Sequence, residues 1–194
     1  MPDTGAPWNI PFLDGTELVR AYPQASEDLA DAVAAGLSAA GNAGIGSNVV
    51  QTVKTDTFTS TSRTFVTVTG LTATITPSTD TSKILVMTGF TLNGQPGQSI
   101  GIARLMRAST PIFIGDAAGN RVQGFVGVEH PSFQMQTVSA MFVDAPTTDA
   151  AVTYSVQVRT GASGSVRVNI PENDPNTDNR VRTAASLILI EVAA

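Results

Sequence analysis

From Asn48 onward, apolar residues recur at every second position in one short stretch after another. In "AVTYSVQV", Val152, Tyr154, Val156 and Val158 point one way, while Thr153, Ser155 and Gln157 point the other. A helix would scatter these residues around its circumference, whereas a pleated strand sorts them onto two faces. "SVRVNI" repeats the pattern with Val166, Val168 and Ile170, and "TATITP" sets Ala73 and Ile75 against Thr72, Thr74 and Thr76. β-branched Thr is stiff at χ1 and suits a strand. Turn signals interrupt these stretches at close intervals: "TPSTDTS", "NGQPGQ", "GDAAGN", "EHPS", "DAPTTD", "TGASGS" and "PENDPNTDN". The spacing predicts nine or ten strands in a mainly β protein, a jelly-roll-like antiparallel β-sandwich over residues 48–194. The absence of an internal repeat argues against propellers and β-helices.

Two stretches break the alternation. "KILVMTGFTL" and "SLILIEV" are apolar on both faces. Strands of that kind are covered on both sides. A single sandwich has one inner and one outer face, so the second cover is expected from a neighbouring subunit, in a closed homo-oligomer. The composition agrees. Charged residues make up 14% of the chain, against roughly 25% in ordinary soluble domains. There is no cysteine to supply a disulfide or a thiolate ligand.

The region ahead of the strands reads differently. Residues 1–25 are broken by Pro7, Pro11 and Pro23 and carry Trp8, Ile10, Phe12 and Leu13. Proline stiffens such a segment, so less entropy is lost when it lies in a groove on another protein. It is expected to be an extended attachment arm with those four residues as its anchors, since buried aromatic anchors dominate interface energies. Residues 26–47 predict a short α-helix and a glycine-rich joint. Ser26 can cap the helix, Glu27 and Asp28 face the positive end of its dipole, and Gly41 and Gly44 stop it. Leu29, Val33 and Leu37 form a narrow seam, with Ala30, Ala34 and Ala40 alongside. A helix of about 12–14 residues is marginal alone in water, so the seam requires a partner surface. That partner is either the chain's own β domain or other copies of the helix, and the narrow seam between glycine joints favours the second.

Chemistry is sparse. The net charge is −5, and lysine occurs only at Lys54 and Lys83, so no basic face for nucleic acid is expected. No signal-peptide pattern opens the chain. No apolar run approaches the roughly 20 residues of a membrane helix, so no membrane insertion is expected. The one histidine, His130, stands near Ser132, but there is no G-x-S-x-G elbow to position a nucleophile, and a turn before Pro131 is the plainer reading. The acidic residues are scattered singly and do not pair for glycoside cleavage. Phe65, Phe90, Phe142 and Tyr154 fall within strand patterns and are expected in the core. "DPNTDN" alternates oxygen ligands like a calcium loop, but Asn179 and Ala185 stand where that pattern needs Gly and Glu. It reads as a surface turn. No catalytic residue, cofactor or metal site is expected.

"PWNIPFLDGTELVRAYPQASEDLADAVAAGL" resembles the N-terminal module of bacteriophage minor tail and tail-fibre proteins, particularly those of actinobacterial phages. There a Trp-Pro segment is followed by a T-D/E-L-V-R turn and a short helix. "VVQTVKTDTFTSTSRTFVTVTGLTATITPSTDTSKILV" resembles a β domain that recurs in phage virion proteins, and "NDPNTDNRVRTAASLILIEVAA" is similar to the closing strand of that group. The resemblance implies a non-enzymatic virion structural protein, assembled in the host cytoplasm and homotrimeric. Its arm would dock on a tail protein or on the major capsid protein. Capsid decoration or a head fibre is the alternative location, and a stand-alone carbohydrate-binding module is the reading from a different class. A host-surface glycan is a candidate ligand, and Gly115–Arg121 and Pro171–Arg182 are the loops that would meet it.

Overall fold

Strand β3 (Val66–Ile75) follows the period-two rule closely: Val68, Leu71, Ala73 and Ile75 are buried, and Thr67, Thr72 and Thr74 are exposed. The register with β9 shifts between Thr67 and Thr72, where β3 advances five residues against two on its partner and Gly70 takes φ 85°. The aliphatic stem of Lys54 lies against that glycine, within 3.7 Å of where a Cβ would stand. An L side chain at that position would be strained in its own backbone.

The computed structural model describes residues 27–35, 45–94, 100–129, 135–171 and 173–192, residues 45–47 by their backbone. The chain divides between Asn42 and Ala43 into two units. In the first, residues 27–35 form a helix, α1. The second holds the strands. Besides β3 they are β1 (Ile45–Lys54), β2 (Phe58–Ser60), β4 (Lys83–Gly94), β5 (Ile100–Arg107), β6 (Thr110–Ile112), β7 (Val126–Glu129), β8 (Gln136–Asp144), β9 (Val152–Thr160), β10 (Val166–Val168) and β11 (Ala185–Val192). The first strand thus begins at Ile45, inside the glycine-rich stretch and ahead of the Asn48 boundary read from the sequence.

These strands fill eight places in two antiparallel sheets. In sheet A, β11 and β10 lie end to end along one side of β4, and β8 lies along the other. β1 pairs with β11 and β2 with β10, forming the outer edge. In sheet B the order is β3–β9–β5, with β6 and β7 sharing the far side of β5. The pairings are nested: β1 with β11, β3 with β9, β4 with β8, and β5 with β6 and β7. The strand region is therefore one long antiparallel ribbon wrapped into two sheets, which is the jelly roll. The expected jelly-roll-like antiparallel β-sandwich is the observed fold.

Val86, Phe90 and Leu92 of β4, Leu187 and Leu189 of β11, Ala103 and Leu105 of β5, and Val156 and Val158 of β9 meet between the sheets and are essentially inaccessible. Fully burying one such side chain stabilises the fold by about 1.5–3 kcal/mol. At the β1–β3 edge, the Asn48 amide donates to the Thr76 carbonyl (2.8 Å) and the Thr52 hydroxyl donates to the Thr72 carbonyl (3.0 Å). Phe113 stacks on Phe142 of β8 at 5.2 Å and lies 6.3 Å from Phe125, which meets Phe90 edge-on at 6.4 Å.

Two expectations need correction. "SVRVNI" does not alternate to its end: β10 stops at Val168, because Asn169 turns to φ 63° and donates its side-chain amide to the carbonyls of Lys54 (3.1 Å) and Asp56 (3.3 Å). Phe90 and Tyr154 are core residues and Phe142 packs on the core half-buried, but Phe65 does not join them. Phe65 precedes β3 and lies under the Arg104 guanidinium, 4.0 Å from ring centroid to Cζ. Arg104 belongs to the outer side of β5, so the ring is drawn there by the cation and not inward.

Candidate functional site

The buried polar groups come first, because a catalytic centre would be drawn from them. Asp144 ends β8 and is almost inaccessible. Its carboxylate accepts from Arg107 Nη1 of β5 (2.9 and 3.0 Å) and from the Tyr154 hydroxyl of β9 (2.7 Å). Burial, and then the proton Tyr154 gives to this carboxylate, push its phenol far above the ordinary range. The three groups tie sheet A to sheet B, and Tyr154 is locked as a donor. Level with Asp144 in sheet A, Glu191 of β11 is 1% exposed. Its carboxylate accepts from the Ser78 amide (2.6 Å) and the Ser78 hydroxyl (3.1 Å). Burial alone would raise its pKa; hydrogen bonds from Ser82, Ser78 and Asn48 outweigh burial and hold the carboxyl below its ordinary value. Lys54 is buried to its tip and reaches exposed Asp56 at 2.8 Å, which lowers the pKa of that carboxyl. Each of these charges is committed to the fold. Asn93 alone, among the described residues, keeps a buried side-chain amide without a hydrogen-bond partner.

The candidate loops are described in part. Gly115–Arg121 is an exposed tip, closed by the Gly115 amide on the Gly124 carbonyl (3.2 Å) and by the Gln123 side chain on the Gly115 carbonyl (2.7 Å). In Pro171–Arg182, Asp174 is paired with Arg182, whose guanidinium holds its carboxyl below the usual range. Thr177 donates to Asn179 Oδ1 at 2.7 Å. The leading oxygen of the calcium-like pattern is thus occupied by an arginine. Among the described residues no group of three or more His, Asp or Glu could hold a metal ion, and no helix is long and apolar enough to cross a membrane. His130, Ser132, Leu37, Trp8, Ile10, Phe12 and Leu13 lie outside the described residues. Leu29 and Val33 of the expected seam stand on α1 with 66% and 52% of their surface exposed.

What remains is a surface. The outward residues of sheet A line up across four neighbouring strands, β1, β11, β4 and β8. One row runs Val49, Ile190, Leu85, Val143; the next runs Gln51, Ile188, Met87, Met141; the third runs Val53, Ser186, Gly89, Ser139. No residue in these rows is charged. Val49, Val53, Met141 and Val143 are 51–63% exposed, and Leu85, Met87, Ile188 and Ile190 are half-buried by their neighbours. The third row is made of small residues at its centre. With Met87, Met141 and Ile188 beside it, Gly89, Ser139 and Ser186 form a shallow hollow. Lys83 stands at one end of the face, level with Val192. At the other end, Thr91 and Asn93 are covered, Thr91 by Thr183 at 2.7 Å and by Met135 at 3.9 Å.

The two stretches read as apolar on both faces, β4 and β11, are therefore the middle of this surface. Their inner residues are buried and their outer ones are open, so the single chain supplies one of the two covers. The contribution of β8 was missed. Its signal was present in "AMFVD", where Met141 and Val143 alternate with inward Phe142 and Asp144. The sequence matches no protein-family model, and no curated protein matches it.

Proposed function

We propose that this chain is a non-enzymatic structural protein of a bacteriophage virion, a minor tail or fibre protein. Residues 1–25 act as the docking arm, with Trp8, Ile10, Phe12 and Leu13 as anchors. Leu29, Val33 and Leu37 help gather three chains, and the sandwich domains project outward. The observation that carries the reading is the uncharged apolar face of sheet A, which a chain working alone would leave in water. Patches larger than a few hundred Å² on soluble monomers mark interaction sites. The buried charges support a structural role as well, since Asp144, Glu191 and Lys54 are held by Arg107, Ser78 and Asp56. The sequence resemblance to phage tail modules supplies the virion. The exposed loops Gly115–Arg121 and Pro171–Arg182 are where a host-surface glycan would be met.

Gold-labelled antibody against the chain, imaged on intact virions in negative stain, tests this. Label at the tail tip is expected. Label distributed over the shell would move the protein to capsid decoration, and virions without label would overturn the reading. A glycan array with the purified chain addresses the carbohydrate-binding alternative, for which a specific sugar signal from a protein missing from virions is required.

A further inference from the structure

The covered end of sheet A shows what the open end lacks. Beyond Gly89, the outer side of β4 is closed over by Thr183 and Met135, and Thr91 and Asn93 are at most 9% exposed. From Gly89 back to Leu85 the same strand is open, in register with apolar neighbours on both sides. We propose that the face formed by Val49, Val53, Leu85, Met87, Met141 and Ile188 is buried against the same face of a second copy of this chain, as a second core shared between the two subunits. The inference rests on the self-association in the reading above, and neither on its three-fold count nor on the virion.

Breadth is the first argument. Four strands about 4.8 Å apart and three rows about 6.8 Å apart make a face of about 400 Å² in projection. The relief of the side chains brings it close to the ~500 Å² per partner at which biological interfaces begin, in the size range of weak, reversible association. A single extended segment laid on a sheet covers the width of one or two strands. A four-strand face requires a partner as broad as itself, and another copy has that breadth. Charge is the second argument. Each chain carries a net charge of −5, so copies repel in general. The three rows bear no charge, and this is where two such chains approach without opposing carboxylates. Shape is the third. The Met87–Met141–Ile188 ridge runs beside the Gly89–Ser139–Ser186 hollow. A ridge next to a hollow is self-complementary under a two-fold rotation, as a closed pair requires.

The test uses the full chain. Sedimentation and light scattering at micromolar concentration should give a closed pair, about 40 kDa for two chains of 20.1 kDa. Met87→Lys combined with Ile188→Lys should reduce the mass to that of one chain with an unchanged far-ultraviolet spectrum. Because the chain has no cysteine, single-cysteine variants give a second readout that does not depend on a charge being tolerated. Met87→Cys should form disulfide-linked pairs on oxidation, and Thr74→Cys, on the outer side of sheet B, should not. A single-chain mass for the unmodified protein overturns the proposal. So does an oligomer that survives the lysine pair, or equal linking at both cysteines. Loss of the oligomer on Leu29→Asp with Val33→Asp, without linking at Met87→Cys, would overturn it in favour of the helix seam. A disulfide within one chain between Met87→Cys and Trp8→Cys would overturn it in favour of the chain's own arm. Solution mass and virion labelling are read separately, so a face-linked oligomer absent from virions would overturn only the functional reading.

Discussion

The two outer faces of the sandwich share a pleat, a length scale and a core, yet they present opposite surfaces. Sheet A turns outward valine, leucine, isoleucine and methionine. Sheet B turns outward Thr67, Thr72 and Thr74 of β3, Thr153, Ser155, Gln157 and Arg159 of β9, and Arg104 of β5, with apolar Ile100, Ile102 and Met106 only along β5. On sheet B the polar groups satisfy one another: Thr74 and Thr153 share a hydrogen bond at 2.8 Å, Gln157 donates to Thr67 at 3.3 Å, and Arg104 donates twice to Gln157. Arg104 also lies on Phe65, and burial lowers its pKa. That surface is complete in water. Sheet A leaves Val49, Val53, Met141 and Val143 open to solvent. A sandwich needs one inner face per sheet; what each outer face carries is free to differ, and under the proposal above this difference sets a solvent side against an assembly side.

One core holds both sheets, and the largest effect is expected where Asp144 ties them together. Asp144→Ala leaves the Tyr154 hydroxyl and Arg107 without their shared acceptor, and should lower stability by about 3 kcal/mol in a urea titration. A change below about 1 kcal/mol would mean that the sheets are not tied there. Next in size is a contrast of charge insertions. Lysine pairs at Met87 and Ile188 should abolish association, while Thr74→Lys with Thr153→Lys should leave the mass unchanged; equal outcomes would erase the distinction between the faces. Association should also show in heat. If sheet A is covered by copies, the melting temperature rises with protein concentration, and that dependence disappears in the Met87–Ile188 lysine variant.

A pH effect sharpens the picture at the inner end of sheet A. Glu191 is held below its ordinary pKa of 4.5, so the folded chain binds this proton more weakly than the unfolded chain does. Its contribution is full above about pH 4.5 and is lost as the pH falls through the lowered folded value. Melting temperature followed downward from neutral pH should fall across that window, and Glu191→Gln should flatten this acid limb. The smallest effect is expected on the solvent side: Thr74→Val removes one exposed hydroxyl pair and should change stability by no more than about 0.5 kcal/mol.

How much of this was legible follows from which signals are local. Alternation is local, and Val152, Tyr154, Val156 and Val158, like Ala73 and Ile75, took the sides their spacing assigned. The double-faced character of "KILVMTGFTL" and "SLILIEV" was equally legible, and it located the middle of the candidate face. Register was not. That Ile190 lies between Val49 and Leu85 depends on pairings across more than a hundred residues, which no short window encodes. Phe65 was misjudged because an aromatic in a strand-like stretch reads as core unless the arginine that draws it outward is seen. Asn169 escaped notice because its side chain substitutes for a backbone partner of Lys54 and Asp56, a role with no periodicity.

The nesting of the ribbon has a consequence in time. β1 cannot find its partner until residues 185–192 have left the ribosome, and the face in question takes its rows from β1, β11, β4 and β8 together. Contacts of such long sequence separation form slowly and late. A nascent chain therefore carries no finished sheet A with which to capture a neighbour. Under the proposal that copies associate through this face, the order of synthesis delays that step until each chain is able to hold its shape.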